Sequence, residues 1–211
     1  MGTLSCTRSV SSLAVNVDGR TARAIRTRRA VVDAFLALLA EGDLRPSAER
    51  IAERASVSLR ALWTNFADLE TLYAAAGQRQ LERQTELARR INPRLSLEQR
   101  VASLCRQRAQ VLEFLAPVAR AAQLREPFSA QLRANRARQY EIARDELARL
   151  FEAELAEAGS GAAELLNALT AATTWPAWSA LRDDLGLGVT AARQAMVRTV
   201  YSLLSQRVTD Q

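Results

Sequence analysis

From Arg26 onward apolar residues recur at helical spacing. Val32, Phe35, Leu36 and Leu39 fall at i, i+3, i+4 and i+7, one face of an amphipathic helix that Glu41-Gly42 ends. Ala30, Ala34, Ala37 and Ala40 favour helix over strand in the same stretch. Pro46-Ser47 opens a short second helix, 47–54, with Ser47 as its cap and Ile51-Ala52 as its apolar face. Ala55-Ser56-Val57-Ser58 is a turn. Ser58 can cap a third helix over 59–66, and Asp68 a fourth that runs to Arg90 before Asn92-Pro93 stops it.

The remainder also reads as helix. Ser96 caps a segment reaching Ala116, Pro117 starts a short one, and Pro127 starts a long one through Ala158. Gly159-Ser160-Gly161 is a break, and the last helices, 162–184 and 190–208, are separated by Gly186-Leu187-Gly188. No segment alternates with period two, and no fixed repeat is present. Residues 1–19 lack any helical period and read as a flexible leader. The expected fold is all-α.

Composition narrows the chemistry. The 211 residues contain no His and no Lys, so all 29 basic side chains are Arg. That excludes Ser-His-Asp hydrolysis, His-ligated zinc, Schiff-base chemistry and a phosphate-loop lysine. Cys6 and Cys105 are isolated and lack knuckle spacing, so neither a metal nor any other cofactor is expected, and a reducing cytoplasm fits. No apolar run approaches the ~20 residues of a membrane span, so no membrane partner is expected. The net charge of +6 is unevenly placed: residues 1–30 hold six arginines against Asp18 alone. A basic N-terminal end on a balanced body suits a polyanion, although it also describes a solvated tail.

Residues 30–73 carry the functional signal. A helix, a short helix, a four-residue turn and a second short helix form the helix-turn-helix plan. Val57 plugs the angle between the short helices. Leu62 and Phe66 face inward, which leaves Leu59, Arg60, Trp63 and Thr64 facing outward, suited to a major groove. Gly42, Ser47, Ile51-Ala52, Ala55, Val57-Ser58, Leu62-Trp63, Phe66, Glu70 and Leu72 stand at the spacing of the TetR (tetracycline-repressor-like) transcriptional regulators, and over this third of the chain the sequence resembles that family. It departs at the turn glycine, here Ser56; at the Gly-Thr after the cap, here Arg60-Ala61; at the aromatic, here Trp63; and at the Lys opening the fourth helix, here Leu69. The loss of that Lys leaves the backbone N–H groups of the helix start for a phosphate.

The resemblance implies double-stranded operator DNA as a partner and a role for each outward side chain. Arg60, whose fork matches guanine O6/N7, would read a base, and Leu59 and Ala61 would touch thymine methyls. Ser47, Trp63 and Thr64 match phosphate-contacting positions, Ser58 belongs to the same contact set, and Arg23, Arg26 and Arg28 would neutralise backbone charge or enter a minor groove. Each has a duller alternative: Trp63 packing on the fourth helix, Arg60 pairing with an acid such as Glu53.

The resemblance also divides the chain into a reading head, 20–67, and a ligand-sensing, dimerising bundle, 68–211. Its last two long helices would pair with a second subunit through Leu165, Leu166, Leu169, Val197, Val200, Tyr201 and Leu204. A half-site reader needs a two-fold partner, so a homodimer is motivated independently. Trp175 and Trp178 share a helical face that Pro176 would bend; they line either a ligand cavity or the core. Gln107, Gln110, Phe114, Tyr140, Asn167 and Thr170 are candidates for the same pocket, whose small-molecule effector the residues do not name. The stretch 133–157 reads as a solvated helix with i,i+4 pairs, and Cys105 as a small buried hydrophobe. The expectation is a non-enzymatic, ligand-responsive repressor. A protein-recruiting scaffold or a carboxylate-dependent enzyme is the alternative.

Overall fold

A computed structural model describes residues 19–87 and 90–205, so the leader, apart from Gly19, lies outside the described residues together with Cys6 and the end of the last helix. Among the described residues every regular element is helical. The order is α1 (Gly19–Ala40), α2 (Ala48–Arg54), α3 (Leu59–Asn65), α4 (Leu69–Leu87), α5 (Leu97–Arg125), α6 (Ala130–Leu150), α7 (Glu152–Glu157), α8 (Ala162–Ala172), α9 (Trp175–Ser179) and α10 (Val189–Ser205). Among the described residues no helix is long and apolar enough to cross a membrane.

The caps expected from the sequence form. Ser47 Oγ accepts from the Arg50 N–H at 3.3 Å, Ser58 Oγ from Ala61 at 3.1 Å, and Ser96 with Gln99 closes a capping box on α5. α2 ends in a Schellman motif: the Val57 N–H reaches the Ala52 carbonyl and the Ser56 N–H the Glu53 carbonyl, both at 3.0 Å. That motif puts its central residue in the left-handed region, and Ser56 sits there at φ +54. A serine in the family's glycine position therefore holds a conformation that costs it about 1 kcal/mol.

Two cores result. In the first, Phe35 and Leu39 of α1 pack with Ile51, Leu62 and Phe66, then with Leu72, Tyr73 and Ala76 of α4, and finally with Ala121 of α5 and Leu132 of α6. The second joins Val101, Leu104 and Cys105 of α5 to Leu147, Phe151, Leu169, Trp178, Met196 and Val200. α5 threads both, touching α1, α4, α9 and α10. Burial pushes the Cys105 thiol up to about 12, which leaves it inert.

Four helix boundaries differ from expectation. Pro117 does not start a helix; it lies inside α5, which runs on to Arg125. Losing one backbone bond costs about 3 kcal/mol in an exposed helix. Here the continued helix carries Val118 and Ala121 into the first core, which offsets that cost. The segment expected from Pro127 begins at Ala130, because Ser129 Oγ accepts from Leu132 and leaves 126–128 as a single 3-10 turn. It then breaks at Phe151, where Arg100 takes the freed Leu150 carbonyl at 2.8 Å. The expected helix 162–184 is interrupted after Ala172. Thr170 and Thr173 donate their hydroxyls back to the Leu166 and Leu169 carbonyls, Thr174 is extended, and Trp175-Pro176 restarts the helix with its proline in the first turn. A π-helical turn, 180–184, follows α9.

Glu146 and Glu154 in 133–157 do not form solvated i,i+4 pairs. Glu146 pairs with Arg108 and Glu154 with Arg100, both on α5. Arg100 also lies 5.4 Å above the Phe151 ring, so its guanidinium is spent on a break, a ring and an acid at once. That hydrogen bond holds the Glu154 carboxyl below its ordinary value of 4.5. A depressed carboxyl stabilises fully above the ordinary value and loses that contribution as pH falls through the lower one.

Three outcomes follow for stability. Arg100→Ala, which strands Glu154 and the Leu150 carbonyl, is expected to cost about 3 kcal/mol in urea titration. Glu154→Gln should remove part of the stability loss seen below pH 4.5. Ser56→Gly is expected to raise the melting temperature, by the equivalent of about 1 kcal/mol, and Ser56→Val to lower it.

Candidate functional site

The face of α3 is decided by burial on its other side. Leu62 and Phe66 are 0% and 1% exposed, whereas Leu59 is 37% and Trp63 41% exposed. Arg60 and Thr64 are exposed with them, and Ala61 is half-buried at the edge of the face. The structure thus brings Leu59, Arg60, Trp63 and Thr64 to one surface, and Trp63 does not pack away on α4. The Arg60 guanidinium makes no hydrogen bond or ion pair among the described residues, with Glu53 or any other acid. The Thr64 hydroxyl donates to the Arg60 carbonyl at 2.7 Å, so it faces outward as an acceptor.

The basic residues divide. Arg23 and Arg26 lie a turn apart on the exposed start of α1, without ion pairs among the described residues. Arg28 is engaged inside the head. Its guanidinium lies 4.2 Å from the Phe66 ring centroid and donates to the Asn65 carbonyl at the end of α3. The start of α4, expected to be open to a phosphate, is instead capped by its own carboxylate. Asp68 accepts from the Thr71 N–H at 2.7 Å and from the Thr71 hydroxyl at 2.8 Å, which hold its carboxyl below the usual range. A fixed negative charge there opposes a second anion.

Above the head lies a cavity of about 140 Å³ between α4, α5, α6 and α9. Its walls are mainly apolar, with Tyr73, Tyr140 and Trp175 as the aromatic members. Of the pocket residues expected from sequence, Tyr140 and Trp175 line this cavity, while Asn167 and Thr170 line a neighbouring groove with Tyr140. Gln107 is bonded to Glu146, and Gln110 and Phe114 line neither space. Trp178 is a core residue, fully buried with its indole N–H donated to Glu113 at 2.9 Å. The sequence reading missed Gln80, Arg108 and Glu126, which three separate elements bring to the cavity wall. The available signal was Gln80, a polar residue on the buried stripe of Tyr73 and Ala76.

The expected dimer seam also splits. Leu169 and Val200 are fully buried within one subunit and cannot form a surface contact. Leu165, Leu166, Val197 and Leu204 are half-buried at the edge of the second core, and Tyr201 is exposed, its hydroxyl 3.4 Å from Glu98.

No family model and no curated protein matches the chain. Solved structures do. A transcriptional regulator from Rhodococcus sp. Rha1 superposes with a TM-score of 0.62 at 20% identity, covering 86% of this chain and 95% of that one. A protein described as a TetR-family transcriptional regulator from Mesorhizobium loti MAFF303099 gives 0.59 at 18% identity, covering 87% and 97%. The shared part therefore includes the bundle as well as the head, and this chain has the fold of those regulators from end to end of the matched region.

Proposed function

We propose that the chain is a TetR-family transcriptional regulator, a homodimeric repressor that reads the major groove with the helix 58–66 and releases DNA on binding a small molecule. The observation that carries this is the outward face of α3: an unpaired Arg60 between exposed Leu59 and Trp63, on a helix whose opposite side is buried. Both solved structures reported above are of transcriptional regulators, which supports the same reading. Arg60 reads a base edge, Leu59 and Ala61 meet thymine methyls, and Ser47, Ser58, Trp63 and Thr64 set the register on phosphates. Arg23 and Arg26 add backbone neutralisation; held on a helix, they suit phosphates better than a minor groove about 6 Å wide. Arg28 acts through α3, by seating Phe66 and the end of the reading helix.

Residues 20–67 read and 68–211 sense and pair, a division of task rather than of packing. The first core crosses that line at Leu72, Tyr73, Ala121 and Leu132, and Tyr73 and Leu132 also form cavity wall. A ligand in the cavity therefore presses on residues that support the head, and it shifts DNA occupancy by its differential affinity for the two states. Such a regulator works in the cytoplasm. Val197, Tyr201 and Leu204 of α10, with Leu165 and Leu166 of α8, are the pairing surface.

Duplex affinity should fall steeply with salt, with a log–log slope near −0.9 per phosphate neutralised. In selections from random duplexes, Arg60→Ala should remove about 1–3 kcal/mol of discrimination at one base position. Arg26→Ala should weaken all duplexes alike and reduce the salt slope by about 1, whereas Arg28→Ala should blunt the preference with the slope unchanged. An Arg60→Ala protein with intact preference would overturn the readout assignment. Tyr201→Asp should shift the sedimenting species toward monomer, while Leu169→Ala should lower the melting temperature instead, by the equivalent of about 2–5 kcal/mol.

A further inference from the structure

Six buried side-chain polar atoms have no hydrogen-bond partner among the described residues, and four of them belong to residues lining the cavity of about 140 Å³. Glu126 Oε1 is one, but it faces the Arg136 guanidinium at 2.8 Å and is electrostatically satisfied. The other three are Gln80 Oε1, Arg108 Nε and Trp175 Nε1. Buried polar groups in folded proteins almost always find a partner, so three on residues that α4, α5 and α9 bring to one cavity call for an external one. Gln80 is only 6% exposed and Arg108 7%, so bulk solvent does not account for them.

Their chemistry is complementary and specific. Arg108 Nε–H and Trp175 Nε1–H are donors and need an acceptor; Gln80 Oε1 is an acceptor and needs a donor. Charge is already balanced. Arg108 gives its Nη2 to Glu146 at 2.7 Å, Arg136 faces Glu126, and the lining holds no other Arg, Asp or Glu. A charged ligand would have to lose its hydration without gaining a counter-charge. The aromatic walls, Tyr73, Tyr140 and Trp175, favour a flat ring. The volume is close to the about 150 Å³ at which an engineered apolar cavity in another protein admits benzene.

We propose that the ligand of this cavity is a neutral single-ring molecule carrying a hydrogen-bond acceptor, such as a carbonyl, for Trp175, and a separate donor, such as a hydroxyl, for Gln80. The proposal rests on the effector reading above and gives that effector its chemical class.

The test uses the full chain and four probes of the same ring size: 4-hydroxyacetophenone, acetophenone, 4-hydroxybenzoate and tyramine. Titration calorimetry should rank 4-hydroxyacetophenone first, with acetophenone, the anion and the cation each at least tenfold weaker. Gln80→Leu should erase the advantage of 4-hydroxyacetophenone over acetophenone while leaving acetophenone binding unchanged. Trp175→Phe, which keeps the ring and removes the N–H, should weaken both ketones several-fold. Gln80→Met is the second variant, so that loss of folding in one does not decide the result. Equal or tighter binding of a charged probe, a hydroxyl preference that survives Gln80→Leu and Gln80→Met, or no binding of any probe would each overturn the proposal. Duplex affinity with and without probe separates it from the parent reading. Ranked binding that leaves DNA affinity unmoved keeps the ligand chemistry and removes the effector role. DNA affinity without ranked binding does the opposite.

Discussion

The ring of Tyr73 is where the two halves of this molecule meet. It packs edge-on against Phe35, centroids 4.7 Å apart at 77°, and so belongs to the core that holds α1, α2 and α3 together. The Arg125 guanidinium lies 5.0 Å from its centroid, its hydroxyl approaches the Leu44 carbonyl, and the same residue lines the cavity. Burial pushes its phenol above the ordinary value, so it stays a neutral packing group. Ser129 reinforces the joint by donating to Glu70 at 2.5 Å from the start of α6. A head tied to the bundle by interior packing cannot be displaced from α4 without disturbing the cavity wall.

A protein with arginine as its only basic residue uses it as a structural plate as well as a charge. Four guanidiniums lie over aromatic rings: Arg28 on Phe66, Arg100 on Phe151, Arg120 on Trp175 and Arg125 on Tyr73. Arg182 donates to Glu113 and to the Leu187 carbonyl, which fastens the loop before α10 to α5. Lysine offers a point charge and no flat face, so it could not fill these positions. Against that background an arginine with nothing to hold, such as Arg60, stands apart. The same contrast separates Arg60 from Arg28, which formal charge alone treats as equals.

Much of the fold was legible because its signals are local. Cap residues act within three or four positions, so Ser47, Ser58, Asp68 and Ser96 could be read directly, as could the inward pair Leu62 and Phe66. The strain at Ser56 was signalled only by the resemblance, which has a glycine at that turn; the Schellman ending of α2 puts Ser56 at φ +54. Pro117 misled because proline's local cost was weighed without the packing on either side, and the 162–184 segment because the back-bonds of Thr170 and Thr173 to helix carbonyls were not weighed. The pocket candidates were found only in part. Tyr140 and Trp175 stood out as aromatics, while Gln80 and Arg108 are ordinary surface-type residues until the fold buries them.

Sequence by itself determined the all-helical class, the helix-turn-helix, the outward face of α3 and the absence of histidine and lysine chemistry, all properties of near neighbours or of composition. Tertiary structure alone decided that Arg28 lies over Phe66, that Leu169, Val200 and Trp178 are core, that α5 continues through its proline, and that three residues with unpaired polar atoms line one cavity. Those facts depend on residues between about forty and one hundred positions apart meeting in space. No periodicity or spacing encodes such a meeting; only the simultaneous burial of every helix face does.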